Sequence, residues 1–135
     1  MPITAFSPAW ASAFRDAVNA DAVYRDAGAG WTNAVALVVS DSGEPGTNGV
    51  AVEVDLRAGT CLTAAAIAPD TVRAPFVLSA DADTWKEILD GADPIMAIVR
   101  GRVKLTQGSL GTLMLHARGA KALVACARTI DTHWP

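Results

Sequence analysis

The spacing of apolar and polar positions changes period along the chain, and each change marks an element. "SPAWASAFRDAVN" (7–19) puts Trp10, Ala13, Phe14, Ala17 and Val18 on one continuous stripe at i, i+3, i+4, i+7 and i+8, the pattern of a helix with one buried face. Ser7 stands where a side-chain oxygen caps free first-turn amides, and Pro8 stands where a missing N–H does no harm. "NADAVYRDAGAG" (19–30) predicts a second, short helix that breaks at Gly28 and Gly30. The period then falls to two. "WTNAVALVVS" (31–40) is apolar on both faces, as in a central strand covered on each side. "DSGEPGTNG" (41–49) is loop chemistry throughout. "VAVEVDLR" (50–57) alternates, with Val50, Val52, Val54 and Leu56 inward and Glu53, Asp55 and Arg57 on a solvated face. Gly59 offers the turn into "CLTAAAIA" (61–68), and "APDT" turns the chain into "RAPFVLSA" (73–80), where Pro75 limits pairing on its N–H side.

Helical spacing returns after residue 80. Asp81, Asp83 and Thr84 can each cap, and Thr84 with Glu87 forms a capping-box pattern. Trp85, Ile88 and Leu89 make the apolar face of a helix ending at Gly91, and Asp93–Pro94 opens another, "DPIMAIVR", ending at Gly101. Residues 102–106 read as a strand with Arg102 and Lys104 opposite Val103 and Leu105. Gly108 breaks it and Ser109 caps a helix lined by Leu110, Leu113, Met114 and Ala117. Gly119 interrupts that helix, and Ala120, Leu123, Val124 and Ala127 resume the spacing. The order ααβββ β αα β αα is α+β: a layer of helices on a mostly antiparallel sheet.

Composition removes several function classes. The 135 residues suffice for one domain with a core, and 51% are hydrophobic, yet no apolar run approaches the roughly 20 residues of a spanning helix. Stable membrane insertion is therefore not expected. Acidic residues outnumber basic ones 14 to 11, and the basic ones are scattered, which argues against nucleic acid as a partner. "MPITAFSPAW" lacks the features of a secretion signal and "DTHWP" matches neither a peroxisomal nor a prenylation address, so a cytoplasmic protein is expected. Cys61 and Cys126, 65 residues apart, read as small buried hydrophobes. The two histidines have no ligand-like spacing to carboxylates or thiols, so neither metal nor cofactor is expected. His116 lies about 110° from the centre of its helix stripe and reads as a boundary residue. In "TAAAIA", four small side chains within six strand positions leave either unfilled volume or room for a closely packed helix.

The ordered set Trp10, Phe14, Asn19, Tyr24 and Trp31, then "VEVDLRAGTC" (52–61), "DG-x-DP" (90–94), "G-[KR]-x-K-L-x-x-G" (101–108) and a terminal helix resembles bacterial sterol carrier protein 2-like domains over nearly the whole chain. The resemblance implies a single domain over 1–135, a five-stranded sheet covered by helices, and an apolar tunnel between the two that holds a lipid. It also implies a carrier of sterols, fatty acids, fatty acyl-CoA or phospholipids with no catalytic residues. Ser109 stands where the family commonly has an acidic residue, and it caps a helix equally well. On this resemblance the candidate cavity wall is Phe76, Leu78, Trp85, Ile88, Leu89, Met96, Ile98, Leu105, Leu113 and Met114; by spacing alone these residues fit ordinary core as well. Arg102 and Lys104 are either guards of a solvated strand or a basic mouth for a carboxylate or phosphate head. The expected function is non-enzymatic binding and transfer of a hydrophobic ligand. One rival is a small enzyme in the same pocket, for which His116 and Asp81 are the best acid–base candidates. Another is an accessory protein that presents its lipid to a partner enzyme or packs on its own copy, which exposure of Trp134 or Leu115 would favour.

Overall fold

The computed structural model describes residues 2–39 and 50–134, so the expected loop 41–49 lies outside the described residues. The chain opens with a two-residue strand, β1 (Ile3–Thr4), and α1 (Pro8–Ala20) follows. Ser7 caps α1 through its Oγ, which accepts from the Trp10 N–H at 3.2 Å, and Pro8 holds the first helical position. The predicted stripe is the buried one: Trp10, Phe14 and Val18 all face the core. Asp21 ends α1 and begins α2 (Ala22–Ala27), its carboxylate accepting from Val23 N at 2.8 Å and from the Cys126 thiol at 3.0 Å. The thiol bond is the chief reason that the Asp21 carboxyl is held below its ordinary range.

Five strands form the main sheet: β2 (Ala34–Val39), β3 (Val50–Arg57), β4 (Thr60–Ile67), β5 (Phe76–Ala80) and β6 (Lys104–Gln107), in the spatial order β4-β3-β2-β5-β6. All neighbours are antiparallel except β2 and β5, which run parallel. β2 is central, as its two-sided apolar pattern predicts. The turn between β3 and β4 holds Ala58 at φ 51° and Gly59 at φ 90°, the left-handed pair that suits a tight hairpin. A Cβ at position 59 would stand 2.5 Å from the Arg25 carbonyl oxygen, so only glycine lets the hairpin meet α2. The Asn19 side-chain amide bonds both the N–H and the C=O of Cys61, at 2.8 and 2.9 Å, and fastens the end of α1 to β4. Because α1 packs against β4, the small side chains of "TAAAIA" accommodate a helix; none of them borders the cavity described below.

Parallel pairing of β5 with β2 needs a crossover, and a 3-10 turn at Pro69–Thr71 begins the strap that makes it. Glu53 holds the strap: its Oε2 accepts from Arg73 N at 3.0 Å and Ala74 N at 3.2 Å. Glu53 is thus a structural acceptor and not the solvated surface residue that strand alternation predicts. Asp55 and Arg57 do stay at the surface, paired with each other at 2.9 Å.

The remaining helices are α3 (Ala82–Leu89), α4 (Pro94–Val99), α5 (Leu110–Leu115) and α6 (Ala117–Arg128). Asp81 caps α3 by accepting from Thr84 N at 2.8 Å; Thr84 is itself buried inside the helix, so the Thr84–Glu87 capping box does not form. Asp93 and Ser109 cap α4 and α5 as their positions predict. The expected break at Gly119 falls instead at His116, and α6 runs through residue 119. A Cβ at 119 would stand 3.5 Å from the Ala27 carbonyl oxygen and 3.8 Å from Gly28 Cα of the α2 end, ordinary contact distances, so the two helices pack closely without requiring glycine there. Near the C-terminus β7 (Thr132–His133) pairs parallel with β1, joining the two ends of the chain. Both cysteines are buried and unpaired, and burial pushes their thiols up, to about 11 for Cys61 and about 12 for Cys126. No helix among the described residues is long and apolar enough to cross a membrane.

Candidate functional site

Between the helices and the inner face of the sheet lies an apolar cavity of about 100 Å³. Its floor is Val35 and Leu37 of β2, Val54 of β3 and Leu78 of β5. Alternation places these four on one side: Val35 pairs with Val54 across β2–β3, and Leu37 with Leu78 across β2–β5. The walls come from both halves of the chain. Trp10 and Phe14 of α1 stack at 5.3 Å with planes 14° apart, and Phe6 tilts onto Trp10 at 4.8 Å. Phe6 sits at φ 57°, an unusual backbone state for a bulky residue, and it is 1% exposed. Trp85, Ile88 and Leu89 close the cavity from α3, Leu113 from α5, and Leu123, Val124 and Ala127 from α6.

The cavity gathers five of the ten wall candidates: Leu78, Trp85, Ile88, Leu89 and Leu113. The other five lie elsewhere. Phe76 is buried under Trp31, ring centroids 4.8 Å apart. Leu105 pairs with Leu78 and, like Ile98, packs on the core outside the cavity. Met96 and Met114 turn to solvent, 42% and 54% exposed. The physical reason is helix length. α4 and α5 have six residues each and bury only Ala97 and Leu113, so neighbouring positions must point away.

Arg102 and Lys104 do not border the cavity either. The Arg102 guanidinium bonds the Glu87 carboxylate at 2.6 Å, and this bond holds Glu87 below its ordinary range. Lys104 is exposed on β6 opposite Ser79. Replacing both cations by glutamine is therefore expected to change fatty-acid affinity by less than about twofold, because a distant exposed charge contributes little. A titration at low salt that shows a larger loss would restore the basic-mouth reading.

Sequence reasoning did not place Trp10, Phe14, Tyr24, Trp31 or His116 in the wall, although all five line it. Their signal was present as aromatic density in the first 31 residues, but a helix stripe looks the same whether it meets packed side chains or a void. His116 presents its ring edge-on to Trp31 at 5.1 Å and 74°. Tyr24 and His116 are the titratable groups of the lining, which among the described residues holds no carboxylate, thiol or aliphatic hydroxyl. Asp81, the other acid–base candidate, is committed to capping α3.

The polar atoms of the tryptophans in this wall are already used. Trp10 Nε1 donates to Thr132 Oγ1 at 3.0 Å, Trp31 Nε1 to the Asn33 carbonyl at 2.8 Å, and Trp85 Nε1 to the Val38 carbonyl at 2.8 Å. Tyr24 differs. It is 1% exposed, and its hydroxyl has no hydrogen-bond partner among the described residues. Leaving a buried hydroxyl unpaired costs about 1–3 kcal/mol. Burial pushes the phenol up to about 12, so it keeps its proton and remains a donor. Gly28 makes room for it: a Cβ there would stand 2.5 Å from Tyr24 Cζ.

Outside the cavity, α5 shows Leu115 85% exposed beside Met114, whereas Trp134 is half-buried against Phe6 at 5.8 Å. Of the two features that favour an accessory protein, the structure exposes one.

No protein-family model and no curated protein matches the sequence. Solved structures do. A crystal structure of sterol carrier protein 2 is 37% identical, with a TM-score of 0.86, and the match covers 93% of this chain and 98% of that one. A solution structure of a conserved protein of Thermus thermophilus, described as possibly sterol carrier protein, is 36% identical with a TM-score of 0.85, covering 95% and 90%. Sterol carrier protein 2 of Yarrowia lipolytica in its apo form shares the fold at a TM-score of 0.57 and 12% identity, over 87% and 88% of the two chains. The five-stranded sheet, the helices laid over it and the extent of these two matches above 30% identity lead to one conclusion: the chain belongs to the sterol carrier protein 2 family.

Proposed function

We propose that this protein is a non-enzymatic carrier that binds a fatty acid, a fatty acyl-CoA or a sterol-like lipid in the cavity between sheet and helices. The observation that carries this reading is a lining of aromatic and aliphatic side chains whose indole N–H groups are already bonded inside the protein. Such a lining binds by burial of apolar surface, and it holds no carboxylate or thiol to pair with His116. Names of the similar structures point the same way.

Energetics add a requirement. Each buried methylene contributes about 0.8 kcal/mol, and micromolar binding needs about 8 kcal/mol net of an association cost of several more. About fifteen methylenes must therefore leave water. Pockets that enclose ligands of such size run to about 300–1,000 Å³. A cavity of about 100 Å³ must widen to take a full chain. α5 is the element best suited to yield, since Leu113 is its one buried residue.

Displacement of a fluorescent fatty-acid probe tests the proposal. Saturable binding of long-chain fatty acids or their CoA esters at micromolar concentration is expected. Absence of saturable binding to fatty acids, acyl-CoA and sterols at tens of micromolar would remove it.

A further inference from the structure

The Tyr24 hydroxyl is the one buried side-chain polar atom among the described residues without a hydrogen-bond partner, and neither the fold nor apolar burial explains it. The polar side chains buried near it are otherwise engaged. The Cys126 thiol donates to Asp21 Oδ2 at 3.0 Å, and the Cys61 thiol donates to the Thr63 carbonyl at 3.3 Å. The three tryptophans of the lining also donate within the protein, so among the buried side-chain polar atoms of the described residues the phenol oxygen alone is left without a partner. Its position is enforced from behind, because a side chain at Gly28 would overlap the phenol ring. A tyrosine buried to 1% exposure in an otherwise apolar cavity, held by a glycine and left without a partner, is built to meet something that enters.

We propose that Tyr24 anchors the polar end of the ligand, and that this end is a single neutral oxygen, a hydroxyl or a carbonyl, on an otherwise apolar molecule. The proposal rests on the carrier reading above and names the ligand class within it. A neutral oxygen completes one hydrogen bond with the phenol and brings no charge into the cavity. A carboxylate is excluded from that end. It has several acceptor sites to satisfy, the lining holds no lysine or arginine, and burying an unpaired charge is far costlier than burying a neutral group. A fatty-acid anion can still bind with its chain inward and its head at the solvent side, and such binding does not involve the phenol.

Tyr24→Phe removes the hydroxyl and keeps the ring. Competition against a fluorescent probe, with 1-hexadecanol, 2-hexadecanone, 1-chlorohexadecane and hexadecanoate as ligands, reads the effect. We expect the variant to bind 1-hexadecanol or 2-hexadecanone about 3- to 10-fold more weakly, the worth of one net hydrogen bond. Affinity for 1-chlorohexadecane and hexadecanoate should stay within about twofold, since neither presents a neutral oxygen to the phenol. The melting temperature of the free variant should hold or rise, because an unpaired buried hydroxyl has been removed. Equal losses for all four ligands, or none for the alcohol and ketone, would overturn the anchor and leave the carrier reading standing. A clear fall in melting temperature would mean that the hydroxyl has a structural partner in solution, and would also overturn the anchor. If none of the four displaces the probe from the unmodified protein, the carrier reading fails and the anchor with it.

Discussion

Leu113→Trp is expected to weaken fatty-acid binding at least about tenfold while the domain keeps its fold, because losing room for two methylenes already amounts to about 1.6 kcal/mol. Leu113 is 7% exposed and is the side chain that α5 inserts into the cavity. An indole at that position takes up much of the roughly 100 Å³ that a ligand chain would enter. In a close-packed core the same change costs typically 1–3 kcal/mol of stability, whereas against a void it gains contacts. Melting temperature should therefore fall by no more than a few degrees. The neighbouring change Met114→Trp is the control. Met114 is 54% exposed on the outer side of the same helix, so affinity and stability should both stay near those of the unmodified protein. A large stability loss with unchanged affinity for Leu113→Trp would place Leu113 in packed core and remove it from the ligand site.

The contrast between Leu113 and Met114 also shows where sequence reasoning ends. Their helix, its Ser109 cap and its apolar side are all readable from spacing, yet a six-residue helix turns only one position fully inward. Which one depends on the elements packed against it, and no local pattern carries that. Met96 fails for the same reason on α4. Gly119 shows a different limit. Propensity reads it as an interruption, but the helix penalty of glycine is modest, and α6 runs through position 119. β1 and β7 were illegible because each is two residues long and the pair links opposite ends of the chain. What was legible rests on longer repeats. The stripe of α1, the alternation of β3 and the two-sided apolar run of β2 each span six or more positions, and each appears where its period puts it. Of the cavity lining, Leu78, Trp85, Ile88, Leu89 and Leu113 stand among the candidates that the family resemblance implies. Leu123, Val124 and Ala127 show only helical spacing, Trp10 and Phe14 a helix stripe, and Tyr24 only a place in the family pattern.

Trp10 belongs to both the core and the cavity, and Trp10→Ala should separate those roles. The indole is fully buried, stacks on Phe14, touches Phe6, and bonds Thr132 of β7. Its loss should remove about 3–5 kcal/mol of stability, the range for truncating a large buried aromatic. At roughly 2–8 °C per kcal/mol for domains near this size, the free protein should melt roughly 10 °C lower or more. Trp10→Phe keeps most of the stack and loses the N–H donor, so it should fall between the two. The same truncation enlarges the cavity from its α1 side. A bound chain can then occupy the space the indole held and restore the burial that was lost. Ligand at about one hundred times its dissociation constant stabilises a protein by about 2.7 kcal/mol. Melting with and without saturating fatty acid should therefore show a larger ligand-induced rise in Trp10→Ala than in the unmodified protein. An equal or smaller rise would mean that the enlarged space is not continuous with the ligand's, and that Trp10 is core alone.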